Sequence, residues 1–288
     1  MLIINTFAGI NGNTPRNKKV DLFYSLGNLD FRALNVIKEI RKKSEFLIVA
    51  IYHNPMQFEN IKLYEKYPKI YEKDLGWLKT LGVDLVFLPE HLQIFPSGLP
   101  KITFQSQFLQ ILEAKLKPKY FSGLVPVMYQ FLTNIPAHRI YFDQWDFQEM
   151  LLVGDIIDNF KLKTQTEIIW HNPDLFNSLY QNDLNTASQY MQKEIYQWFL
   201  KLAKNKGENQ LLEKKDWDEV NQAKFLRFLK KLQSEQKTKL EADILEILRP
   251  DNLQSITELK VGDEFLIFIQ KKAEKLYNPI ATNWFFVE

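Results

Sequence analysis

Short apolar runs alternate with longer segments of helical periodicity through the first 170 residues. The runs at 20–24, 46–52, 84–88, 139–142 and 166–170 have the length and the β-branched and aromatic content of buried strands. Between them, 31–43, 70–81, 121–134 and 145–159 place apolar residues three and four apart, the spacing of one helix face. Strand and helix in turn predict a parallel sheet with crossover helices, since parallel neighbours need a long connection. In such a sheet a ligand site belongs at the carboxyl ends of the strands, where the strand order reverses.

The pattern changes after Pro173. Residues 182–239 read as helical, with a lysine-rich stretch at 201–215 that is broken at Gly207 and reads as a solvated helix end and loop. From Glu241 onward the alternation is that of strands around a Pro250-Asp251-Asn252 turn. The expected organisation is an α/β domain over residues 1–175 and a small α+β domain over 176–288.

Composition narrows the function classes. A net charge of +2 gives no electrostatic footing for nucleic acid or an anionic membrane as the main partner. The absence of cysteine excludes a disulfide framework, a thiolate metal site and a cysteine nucleophile, and fits a cytoplasmic setting. No run approaches the roughly 20 apolar residues of a membrane span, and the first residues lack the basic leader and long apolar run of a signal peptide. The 22 phenylalanines point to an aromatic core. None of the four histidines has a partner at metal-ligand spacing. His53 stands beside Asn54-Pro55-Met56-Gln57-Phe58 at the expected sheet edge, as either a packed side chain or a substrate contact; His171 ends a strand before Asn172-Pro173.

Several motifs together carry a resemblance. The stretch 46–98 joins a strand ending in NPMQF, the segment YPKI, an acidic helix, GVDLVF and an FPSG turn. KPKYFSGL at 117–124, RIYFDQWDFQEM at 139–150 and KLYNPI at 275–280 add to it. In this order and over about residues 20–280, they resemble the pantothenate synthetases (pantoate–β-alanine ligases). The resemblance implies a Rossmann-like nucleotidylyltransferase domain with a parallel sheet, a small C-terminal lid domain and a homodimer. It also implies ATP with magnesium as co-substrate: pantoate is adenylated, and the amine of β-alanine then displaces AMP.

Compared with the family's motifs, the chain keeps the scaffold and changes the charges. The family's PTMGxLHxGH stretch places two histidines at a helix N-terminus, where the dipole and free amides already favour anions. Here Gly27, Asn28 and Leu29 keep the turn, with Gly27 and Asn28 as candidate nucleotide-binding positions, but Asp30 and Ala33 replace the histidines. Asp30 is also a good N-cap. In place of GEKD the chain has Asp143-Gln144-Trp145-Asp146, so the lysine is Trp145 while Asp146 persists, as a nucleotide-side or magnesium-binding candidate or as a first-turn acid. The SSRN loop has only a loose counterpart at 174–182, without arginine, and Tyr120 and Ser122 stand where RPGHFRGV has its histidine and second arginine. At the acyl end, Asn54 and Gln57 keep the NPTQF pattern that grips pantoate, whereas the second glutamine is Glu149, preceded by Gln148. A carboxylate facing pantoate's carboxylate is unfavourable.

Two functions therefore stand open. In one, the chain is a degenerate homologue that keeps the fold and dimer, binds a small polar metabolite or a genuine ligase, and lacks efficient adenylation. In the other, it is an active, divergent ligase whose phosphate contacts come from other cations, such as Arg32, Lys119 or Arg139.

Overall fold

The computed structural model describes residues 1–169, and beyond them 191, 212–213, 219–240, 244–249, 253, 264–271, 274–281 and 286–287. The chain divides into two compact units, Met1–Trp170 and His171–Glu288.

In the first unit the apolar runs become strands of one parallel sheet. These are β2 (Val20–Ser25), β3 (Phe46–Ile51), β4 (Leu85–Phe87), β5 (Arg139–Asp143) and β6 (Gln165–Ile169), each close to the expected bounds. An unexpected strand, β1 (Leu2–Ile4), forms the edge, giving the order β1-β4-β3-β2-β5-β6. A three-residue LII run becomes a strand because β4 offers it a partner, in the register Leu2 with Leu85 and Ile4 with Phe87. A helix that periodicity also missed, α1 (Phe7–Asn13), follows it; its two glycines and two asparagines are weak helix formers, and Thr6 caps it through Gly9 N.

The remaining helices are α2 (Phe31–Lys43), α3 (Ile61–Lys66), α4 (Tyr71–Thr80), α5 (His91–Ile94), α6 (Leu112–Leu116), α7 (Pro118–Asn134) and α8 (Phe147–Asn159). The segment expected as helix from Trp145 enters through a single 3₁₀ turn, Gln144–Asp146. Proline at the first position of α7 starts that helix three residues before its apolar stripe begins.

Side-chain alternation sorts the sheet into two buried faces. Phe23, Leu47, Val49, Ile51, Val86 and Tyr141 meet Val36, Ile37 and Ile40 of α2 and Leu78 of α4. On the other face Phe131 of α7 packs edge-on against Phe87 and Tyr24, with ring centroids 5.5 and 5.7 Å apart. With helices on both faces, the free space lies at the strand ends. The chain steps from β2 to β3 and β4 on one side and returns to β5 on the other, so the order reverses beside β2. That switch point is where the candidate residues gather.

In the second unit, α9 (Glu219–Leu240) precedes an antiparallel sheet ordered β10-β9-β8, from β8 (Ile244–Leu248), β9 (Glu264–Lys271) and β10 (Glu274–Ala281). Pro279 sits in β10, at the edge of the sheet as described, a position where proline is tolerated. One expectation is corrected: Leu212–Glu213, inside the stretch read as helical, is a short strand β7 paired in parallel with β11 (Phe286–Val287). A two-residue strand is set by its distant partner and leaves no local periodicity to read.

Candidate functional site

Ser25 ends β2, and the chain turns through Gly27 at φ +82° and Asn28 at φ +53° before α2. Gly27 has a second reason to be glycine. A Cβ there would lie 2.9 Å from His53 Nε2 and 3.0 Å from Ile51 Cγ2, so the turn rests directly on the end of β3. Its groups are already engaged. Gly27 N donates to Ser25 Oγ at 3.0 Å, and Tyr67 Oη donates to Gly27 O at 2.9 Å. Asn28 N and Leu29 N both donate to the carboxylate of Asp74, at 2.7 and 2.9 Å. Asp74 comes from the first turn of α4 and is fully buried. Sequence reasoning missed it, although an acid one helical turn before Leu78 on the apolar face of α4 is a legible anomaly.

Asp30 caps α2: its Oδ1 accepts from Ala33 N at 3.0 Å. Its Oδ2 holds Arg32 in a solvent-exposed ion pair at 2.9 Å. The two other cations that could have served phosphates lie elsewhere. Lys119 Nζ donates to Glu59 O at 2.6 Å. Arg139 opens β5 at the opposite end of the strands, where it grips the buried Asp21 through Nε at 2.8 Å and Nη2 at 3.0 Å. Lys69 stays near the turn, with Nζ 4.2 Å from the centre of the Tyr64 ring.

His53 is buried and in contact with this turn. Its Nδ1 shares a 2.8 Å hydrogen bond with Tyr71 Oη, and its Nε2 is buried without a partner. Burial lowers its pKa, helped by the positive charge of Lys69 and opposed in part by Asp74, so the imidazole is neutral at pH 7.

The acyl end is built from the segment after β3. A 3₁₀ turn at Pro55–Gln57 is capped by Asn54, whose Oδ1 accepts from Met56 N at 3.1 Å. Asn54 is fully buried; its Nδ2 donates to Gln57 Oε1 and to Gly123 O, both at 2.9 Å. Every polar side-chain atom of Asn54 is thus engaged inside the protein, and it ties the turn to α7. Gly123 allows that approach, because a Cβ there would come within 2.4 Å of Met56 O. Gln57 Oε1 also accepts from Tyr24 Oη at 2.7 Å, while Gln57 Nε2 is buried with no partner.

Glu149, in the first turn of α8, is 6% exposed and accepts from Tyr120 Oη at 3.2 Å. Burial raises the pKa of both Tyr24 and Tyr120, and Glu149 raises each further. Asp146, half-buried at the N-cap of α8, adds to the negative field on Tyr120. Gln148 points elsewhere: it is fully buried, accepts from Glu113 N and donates to Phe108 O and Ile111 O, pinning the 106–112 loop. The switch point thus brings together Gly27, Asn28, Asp30, Ala33 and His53 on one side and Gln57, Tyr24, Tyr120, Glu149 and Asp146 on the other. The 174–182 counterpart of SSRN, His171 and the Trp145 side chain lie outside the described residues. Among the described residues, no group of three or more histidine and acidic side chains is placed to hold a metal ion. No described helix is long and apolar enough to cross a membrane.

Comparisons with known proteins agree with this architecture. A family model described as Pantoate-beta-alanine ligase matches residues 4–276. Curated relatives named pantothenate synthetase, from strains of Francisella tularensis, are 29% identical over 163 residues, 56% of this chain; that stretch spans only 62% of their own length. A solved pantoate–β-alanine ligase (pantothenate synthetase) of Thermus thermophilus superposes with a TM-score of 0.68 at 20% identity, covering 98% of this chain and 99% of the other. A Francisella tularensis pantoate–β-alanine ligase solved with β,γ-ATP and β-alanine gives 0.59 at 21% identity, covering 98% of each. At these identities the superpositions speak for the fold.

Proposed function

The chain belongs to the pantoate–β-alanine ligase family, and from that premise we propose that it is a divergent member that binds a small polar metabolite without efficient ATP-dependent ligation. The observation that carries this reading is the state of the Gly27–Ala33 turn. The Asn28 and Leu29 amides already bind the buried carboxylate of Asp74, and the Ala33 amide and Arg32 are engaged by Asp30. A polyphosphate arriving there meets two carboxylates where an anion site needs free amides and cations. The repulsion between unit charges about 4 Å apart is roughly 1–4 kcal/mol at intermediate screening. Losing a single well-placed electrostatic group typically costs about 10²–10³ in rate. Arg139 and Lys119 are committed elsewhere, and Arg32 is paired with Asp30.

Titration calorimetry with ATP–Mg²⁺, followed by a pyrophosphate-release assay with pantoate and β-alanine, tests the proposal. We expect no saturable ATP binding in the millimolar range and no AMP formation that depends on β-alanine. Tight ATP binding with β-alanine-dependent AMP release would instead establish an active ligase. The same proposal places the protein in the cytoplasm as a homodimer, which sedimentation velocity of the full chain checks.

A further inference from the structure

The stretch 59–73, which carries α3 and enters α4, contains no buried residue, and its Ile61, Leu63 and Ile70 are exposed. Such a segment opens locally at little cost beside the core strands. Phe58 holds it through the rings of Tyr64 and Tyr67, 5.5 and 5.3 Å away, and Lys119 Nζ donates to Glu59 O. The other attachments converge on His53. The rings of Tyr67 and Tyr71 stand edge-on to it, with centroids 5.8 and 5.0 Å away. Tyr71 Oη shares a hydrogen bond with His53 Nδ1, and Tyr67 Oη donates to Gly27 O. His53, 5% exposed, is thus closed between the Gly27 turn and two tyrosines of the stretch.

This closed arrangement suits a neutral ring. In neutral imidazole Nε2 can remain a bare acceptor; in imidazolium it becomes a charged donor, and here it is buried without a hydrogen-bond partner. Burial and the charge of Lys69, in the loop before α4, both oppose the proton. Asp74 of α4 and the Pro68 carbonyl favour it without outweighing them, and both Asp74 oxygens are engaged by the Asn28 and Leu29 amides. Burial raises the pKa of Tyr67 and Tyr71, so neither phenol becomes an anionic partner. The turn before α2 meets the ring with the backbone of Gly27. We propose that His53 and the stretch 59–73 form a pH-sensitive latch, closed over the neutral imidazole and released when His53 takes up a proton, which opens the ring and the Gly27 carbonyl to solvent. In the open form the histidine has an ordinary pKa of about 6.5, and in the closed form a lower one. The closed form is therefore fully favoured above the ordinary value. Its ratio to the open form falls by up to about ten-fold per pH unit below that, until the closed-form value is reached. The latch goes beyond the proposed function and does not depend on it.

Hydrogen exchange of the full chain at pH 7.5 and 5, read by mass spectrometry and corrected for the intrinsic pH dependence of amide exchange, tests the latch. We expect protection of peptides within 59–73 to fall at least about three-fold more than that of β2 and β3 peptides. In His53→Gln, with the fold checked by circular dichroism, this extra loss should vanish. Tyr71→Phe removes only a hydroxyl at an exposed position, and it should lower protection of the stretch at pH 7.5 toward the wild-type value at pH 5. If His53→Gln fails to fold, the wild-type profile and Tyr71→Phe decide. Equal loss in the stretch and the sheet, no loss in the stretch, an undiminished loss in folded His53→Gln, or unchanged protection in Tyr71→Phe each overturn the inference. None of these readouts involves ATP, so their failure leaves the proposed absence of ligation standing, and ATP turnover leaves the latch untouched.

Discussion

The two halves of the switch point have met opposite fates. At the Gly27–Ala33 turn, donors that could bind an outside anion are already engaged by the protein's own carboxylates, Asp74 and Asp30. At the Gln57–Glu149 end, one buried amide group, Gln57 Nε2, is left without a hydrogen-bond partner. Both ends grow from the same strand, β2, through Ser25 and Tyr24. The two ends can thus differ, with the backbone amides at one satisfied by the protein's own carboxylates and a side-chain amide at the other left over. Buried donors that are satisfied add stability and rigidity; unsatisfied ones cost stability and call for a partner.

The sharpest way to break this contrast is at Asp74. Asp74→Ala leaves two amides of the turn without an acceptor, and we expect a loss of about 3 kcal/mol at roughly 1–3 kcal/mol per group, read as a shifted urea midpoint. A loss below about 1 kcal/mol would mean that water already serves these amides, and the turn would count as open after all. At the other end, Asn54→Ala removes the tie between the 3₁₀ turn and α7, and about 2 kcal/mol is expected from stranding Gly123 O and Met56 N. A smaller loss than at Asp74 fits a bond set built on neutral partners, and an equal or larger one would reverse the ranking.

The smallest effect is the pH dependence of His53. Its folded pKa lies below the ordinary histidine value of about 6.5. Between those two values the unfolded chain binds more protons, so stability falls as pH drops through that window and levels off below the folded value. His53→Gln should flatten this decline in urea titrations between pH 7.5 and 5. An unchanged slope would assign the decline to other groups.

The share of this structure that could be read from the sequence follows a physical line. β2, α2, β3 and β5 are long, strongly patterned and stabilised by their own apolar faces, and they lie within a residue or two of where periodicity puts them. The cap on α2 was legible because Asp30 and Ala33 N are three residues apart. Asp74 was not, because its partners lie 45 and 46 residues away. The same holds for Tyr120, whose bond to Glu149 spans 29 residues, and for β1, which exists only against β4.

By itself the sequence determined the alternation of strand and helix and the family motifs with the residue types standing in them, since each is a property of residue type or local spacing. Only the tertiary structure decided which carboxylate fills the turn, which amide is left over and where Arg139 is committed. Those outcomes depend on the distances the fold closes between segments far apart in the chain, and hydrogen bonding beyond about 3.5 Å counts for little.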